Sequence, residues 1–113
     1  MTTETDHTRL LTVDCVRAYY IRGTGKLTIY VCGVTSGTTT DIRIEELTWL
    51  GALKFRIVGE IADWAGFQVY TASFTKEIKD LPDPALPGKI ILLEDAEHPL
   101  GQPITVQIYG PLG

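Results

Sequence analysis

Along most of this chain, hydrophobic residues alternate with polar ones at the period of two that marks a half-buried strand. The pattern is clearest over residues 53–61, where Leu53, Phe55, Ile57 and Ile61 alternate with Lys54, Arg56 and Glu60. It recurs at the end, where Ile104, Val106 and Ile108 alternate with Thr105, Gln107 and Tyr109. Phe55, Ile57, Ile104, Val106 and Ile108 are therefore assigned to the core. Residues 10–22 and 27–34 are rich in β-branched and aromatic types and flank Gly23-Thr24-Gly25-Lys26, which predicts a hairpin. Residues 67–75 form a further strand with Tyr70, Ala72 and Phe74 on one face. Ile90-Ile91-Leu92-Leu93 is apolar on both faces, as a central strand would be.

Between these strands the pattern changes. Residues 75–80 suggest one helical turn, and residues 81–88, with three prolines, predict a loop pinned along the surface. Residues 95–102 read as another loop. Residues 41–51 admit two readings. In the first, Ile42 and Ile44 start a strand whose phase flips to Leu47 and Trp49 through a bulge near Glu45-Glu46. In the second, Asp41 caps a short helix carrying Ile44, Leu47 and Leu50. The strand reading gives about seven short strands separated by Gly or Pro turns, an all-β antiparallel β-sandwich. The helix reading gives an α+β fold. Residues 1–9 are expected to be a flexible N-terminal tail, and residues 10–113 a single domain.

Composition narrows this further. A chain of 113 residues with 44% hydrophobic and 21% charged positions has globular, not disordered, composition. No apolar run approaches the roughly 18 residues of a membrane helix. Net charge is −4, and the ten Lys and Arg residues are scattered, which makes nucleic acid and anionic membranes poor partners. The first residues lack the basic start and apolar stretch of a signal peptide, so a cytoplasmic location with free thiols is expected. With a Thr24-Gly25 turn, Cys32 faces Arg17 and lies diagonal to Cys15, at about 7 Å, beyond an unstrained disulfide. The chain has no Asn, one Met and three Gln, a scarcity of thermolabile types that is one mark of thermophile proteins.

Catalytic parts are few. Gly23-Thr24-Gly25-Lys26 resembles the end of a phosphate-binding loop, but Tyr20 stands where that motif needs Gly, and Leu27 follows the lysine. The only serines are Ser36 and Ser73, and the only histidines His7 and His98. An enzyme is therefore not the first reading, and no cofactor is expected. Glu94, Asp95, Glu97 and His98 form the densest polar cluster and are weak candidates for a divalent metal. A second acidic pair, Asp80 and Asp83, would lie about 15 Å away across residues 90–93, too far to share one ion. The cluster thus reads as a solvated turn, and no metal is expected to be required. Trp64, in a short connection, either anchors a binding site or folds back to plug the end of the sandwich; the plug is preferred.

The hairpin carries the functional expectation. One of its faces shows Val16, Ala18 and Tyr20 with Leu27, Ile29 and Val31. The other shows Val13, Cys15, Arg17, Tyr19 and Ile21 with Thr28, Tyr30, Cys32 and Val34. Both are largely apolar, whereas an exposed sheet face should be polar. The second face must be covered, either by residues 76–88 or by another molecule. The expected function is accordingly association: a homo-oligomer or a protein-binding module, with Tyr19, Ile21, Tyr30 and Trp64 in or beside the contact and Tyr19 directly opposite Tyr30. The alternative is a small-molecule or carbohydrate-binding module that uses Tyr19, Tyr30 and Trp64 as stacking platforms.

Overall fold

The structure is a computed structural model that describes residues 7–47, 53–78 and 90–110. Eight strands follow one another: β1 (Thr8–Leu10), β2 (Cys15–Ile21), β3 (Lys26–Thr35), β4 (Thr40–Leu47), β5 (Lys54–Glu60), β6 (Gln68–Glu77), β7 (Ile90–Asp95) and β8 (His98–Tyr109). There is no helix among the described residues. The strands form one sheet in the order β1-β5-β7-β8-β2-β3-β6, with β4 also paired to β5.

The protein is all-β, but the expected antiparallel sandwich is replaced by a curled, mixed half-barrel. Two pairings are parallel, β5 with β7 and β2 with β8. The cause is β8, which has 12 residues. Its first part runs antiparallel to β7 as far as Thr105, opposite Ile90. From Val106, opposite Ala18, it runs parallel to β2. One strand therefore belongs to both halves and joins what a sandwich would keep apart.

The inner faces of the two halves close on one core. Phe55, Ile57, Ile91, Leu93 and Ile104 meet Ala18, Leu27, Ile29, Val31 and Val106 there, and Ile108 packs half-buried against them. The core positions assigned by alternation thus lie where expected. The rings of Phe55 and Phe74 stand 5.4 Å apart at 56°, bringing β5 to β6. At the open side β4 packs beside β6, and Lys76 Nζ reaches Glu46 at 2.5 Å.

The stretch with two readings is a strand. β4 pairs with β5, Ile44 opposite Ile57 and Glu45 opposite Arg56. Its irregularity lies between Thr40 and Arg43, where Asp41 has φ 52°, and not at Glu45-Glu46. Trp49 and Leu50 lie outside the described residues. The helical turn expected from residue 75 is absent over Thr75, Lys76 and Glu77, which continue β6 opposite Thr28, Leu27 and Lys26. The rest of that turn after Ile78, the proline-rich loop, Asp80 and Asp83 lie outside the described residues. Residues 95–102 are not a long loop: Asp95 pairs with His98 across a two-residue turn, and β8 begins at once. Thr8 and Arg9, expected in the tail, pair with Glu60 and Gly59.

The hairpin turn is longer than expected. Ile21 pairs with Lys26, so the loop holds Arg22, Gly23, Thr24 and Gly25. Gly25 sits at φ 68° and donates its N–H to Ile21 O at 2.8 Å. The register moves by two relative to a Thr24-Gly25 turn. An even shift keeps every side chain on its expected face but changes its partner. Arg17 is now opposite Tyr30, Tyr19 opposite Thr28, and Cys15 opposite Cys32. The two cysteines, 5.2 Å apart at Cα, form a disulfide, which corrects the expectation of free thiols.

Candidate functional site

β3 is the middle strand of the half that carries the site, with β2 on one edge and β6 on the other. Beyond β2 lies the second part of β8. The inward residues of β3, Leu27, Ile29 and Val31, are fully buried. Its outward residues Thr28, Tyr30, Cys32 and Val34 lie in one surface with Cys15, Arg17, Tyr19 and Ile21 of β2. Val69, Thr71, Ser73 and Thr75 of β6 extend that surface on one side, and Gln107 and Tyr109 of β8 on the other.

This surface leaves apolar groups in solvent. Ile21, Tyr30, Val34 and Tyr109 are exposed, and Val69 is exposed to 77%. Tyr19 is half-buried because its ring meets the edge of Tyr109, with centroids 6.4 Å apart at 73°. The expected Tyr19–Tyr30 opposition is corrected: the two are diagonal, each facing a polar residue. The hydroxyls of Thr28 and Thr75 share a hydrogen bond of 3.1 Å, and the Cys15–Cys32 disulfide fixes β2 to β3 in the same layer. Two shallow grooves cross the surface. One, about 540 Å³, opens where β8 leaves β2, and is lined by Tyr19, Ile21, Gln107 and Tyr109 among others. The other, about 500 Å³, lies over β2 and β3 beside Tyr30 and Ser73.

Trp64 stands near the far end of this surface, beyond Val34 and Val69. The plug reading is overturned: Trp64 is 64% and Phe67 77% exposed. The reason lies in the polar side chains beneath the loop. Fully buried Ser36 accepts the Ala65 N–H at 3.0 Å, Gly37 N–H donates to Ala65 O, and Thr38 Oγ1 donates to Asp63 O. Gln68 Nε2 donates to the carbonyls of Ser36 and Thr39, each at 3.0 Å. These bonds satisfy the space under the loop, so the two rings point outward from a held backbone.

The acidic cluster is brought to one turn but not to one point. Asp95, 1% exposed, accepts hydrogen bonds from the backbone N–H groups of Glu97 and His98, both at 2.9 Å. It also accepts Gln102 Nε2 at 2.5 Å and contacts His98 Nδ1 at 3.0 Å. Its lone pairs are engaged in holding the turn. Glu94 pairs with Lys54 Nζ at 3.0 Å, and Glu97 is exposed. No group of three or more metal-ligating residues converges among the described residues.

Sequence reasoning placed Arg17, Tyr19, Ile21 and Tyr30 on the outward face, assigned Arg17 no part in the contact, and missed Phe67, Val69 and Tyr109. The outward phase of Val69 was legible by alternation. Tyr109 was not, because its place beside Tyr19 depends on the parallel β2–β8 pairing. Among known proteins, no family model, no curated protein and no solved structure matches this chain.

Proposed function

We propose that this is a non-catalytic association protein, which docks the outward surface of β8, β2, β3 and β6 onto a protein, either a second copy or another chain. One observation carries the reading: exposed apolar and aromatic side chains lie side by side on strands that the disulfide and the sheet hold rigid. Aromatic groups that lose little freedom on burial are the usual centres of interfaces. The second reading, a small-molecule or carbohydrate site built on Tyr19, Tyr30 and Trp64, draws on the grooves, whose volumes are of ligand size. The expectation of free thiols followed from the expected cytoplasmic location, which remains part of this proposal. A disulfide inside a cell fits a hyperthermophile, as does the absence of Asn.

Sedimentation of wild type and Tyr30→Glu, with photo-crosslinking from position 30 in the cells that make the protein, tests this. Defined adducts at position 30 are expected, together with an unchanged melting temperature for Tyr30→Glu because Tyr30 is exposed. A wild type that stays monomeric at high concentration removes the homo-oligomer. A chain that is monomeric and also forms no adduct from position 30 removes the association reading altogether.

A further inference from the structure

The charge on the outward surface is one-sided. Arg17 and Tyr19 border both grooves and form the ridge between them. No Asp or Glu lines either groove among the described residues. Arg17 is exposed and makes no ion pair or hydrogen bond among the described residues. This is unlike Arg43 and Arg56, which are paired with carboxylates. It also runs against a chain with 14 acidic residues and 10 basic ones.

We infer that the two grooves bind an extended acidic segment of a different protein, with one carboxylate on Arg17 and an apolar side chain in the groove to either side. The inference rests on the association reading above and names the partner's chemistry. An uncharged partner covering this surface would strip water from the Arg17 guanidinium and leave a cation unpaired, which costs affinity. A carboxylate repairs that loss, because the planar fork of arginine takes both of its oxygens in parallel hydrogen bonds. Tyr19, Tyr30, Ile21 and Tyr109 offer apolar area to the flanking side chains. Thr28, Ser73, Thr105 and Gln107 offer short hydroxyl and amide groups to a backbone, the mixture that adaptable protein-recognition surfaces use.

A second copy fits less well. A two-fold interface brings the same patch from both sides. Like surfaces set face to face would put Arg17 over tyrosines and hydroxyls or over its own mate. Glu77, at the last position of β6, lies at the margin of this surface, directly opposite Lys26.

The experiment is selection of random short peptides displayed on phage, on the intact disulfide-bonded protein and in parallel on Arg17→Gln. The expected result is a consensus with one Asp or Glu flanked by apolar residues. The corresponding synthetic peptide should bind wild type roughly tenfold or more tighter than either Arg17→Gln or its own Gln-substituted form does, and the two losses should not add. Arg17 is exposed, so an unchanged melting temperature for Arg17→Gln shows that the loss is not unfolding. Three outcomes overturn the proposal: no enriched peptide, a consensus without an acidic position, or equal binding by Arg17→Gln. A fourth is Arg17-dependent binding of an oligogalacturonate with no peptide consensus, which assigns the grooves to an acidic sugar. Adducts from position 30 that persist alongside any of these leave the association reading standing while the acidic-segment proposal falls.

Discussion

On the outer face of β4 and β5, Arg43 reaches Asp41 at 3.0 Å, Glu45 at 2.8 Å and Glu60 at 3.2 Å. Arg56 closes on the other oxygen of Glu45 at 2.6 Å, and Thr8 Oγ1 donates to Glu60 at 2.7 Å. On the outer face of β2, β3, β6 and β8, Arg17 stands among three tyrosines with no such partner among the described residues, and Ile21, Val34 and Val69 meet water. Both faces belong to one sheet and share one core, so the fold does not explain the contrast. A face that is finished by itself satisfies its charges within the chain. A face that leaves both apolar area and a lone cation open is complete only against something else. The comparison is the ground on which we propose the second face as the docking surface.

The largest expected effect tests whether the two faces stand or fall together. Ile57→Ala empties a fully buried position between the halves and should cost about 2–5 kcal/mol. Urea unfolding followed at tryptophan and by far-UV circular dichroism should give one coincident transition at a lower midpoint. Two separate transitions would show that the halves are independent. The next effect concerns only the open face. The Cys15–Cys32 bond spans a sequence separation of 17, and its loss through paired Cys→Ser substitutions should cost about 3 kcal/mol by loop closure alone. Hydrogen exchange should then rise first in β2 and β3, ahead of β4. Equal rises in both would deny the bond its local role.

The smallest effect belongs to the closed face. The hydrogen bond from Arg43, and then that from Arg56, hold the Glu45 carboxyl below its ordinary 4.5, while Glu45 holds Arg43 above its ordinary range. A depressed carboxyl contributes stability that is fully present above its unfolded value. That stability is lost as pH falls through 4.5 toward the folded value. The side chains are about one-third exposed, so the whole contribution is at most about 1 kcal/mol. Glu45→Gln should flatten this part of the pH dependence in denaturation midpoints, and high salt should do the same. An acid transition equally steep in Glu45→Gln would move its origin to other carboxylates.

Particular residues show how far the sequence could be read. The apolar phase of Phe55, Ile57, Ile104 and Val106 was legible because a strand's side chains alternate whatever its neighbours are. The sequence leaves the identity of β4 open between strand and helix, and its pairing with β5 decides for the strand. The site of its irregularity was not legible: the phase flip pointed to Glu45-Glu46, whereas the backbone turns at Asp41, where the left-handed conformation is tolerated by a short polar side chain. Trp64 was misjudged because nothing local reveals that Ser36, Thr38 and Gln68 occupy the space beneath its loop.

The sequence by itself determined the inward phase of the core strands, the predominance of strand, the hairpin and the apolar character of both its faces. These follow from short-range facts: the period of two, the turn residues and the shortage of helix-forming stretches. Only the tertiary structure decided who neighbours whom. The hairpin register, and with it the Cys15–Cys32 bond, turned on two residues of loop length that leave the face pattern unchanged. The parallel placement of β8 against β2, which brings Tyr109 to Tyr19 and opens the groove beside Arg17, turned on one long strand changing partners at Thr105 and Val106. Alternation reports only which side of a sheet a residue occupies. Pairing is settled by the whole curled sheet closing on one core, and the candidate site is a product of pairing.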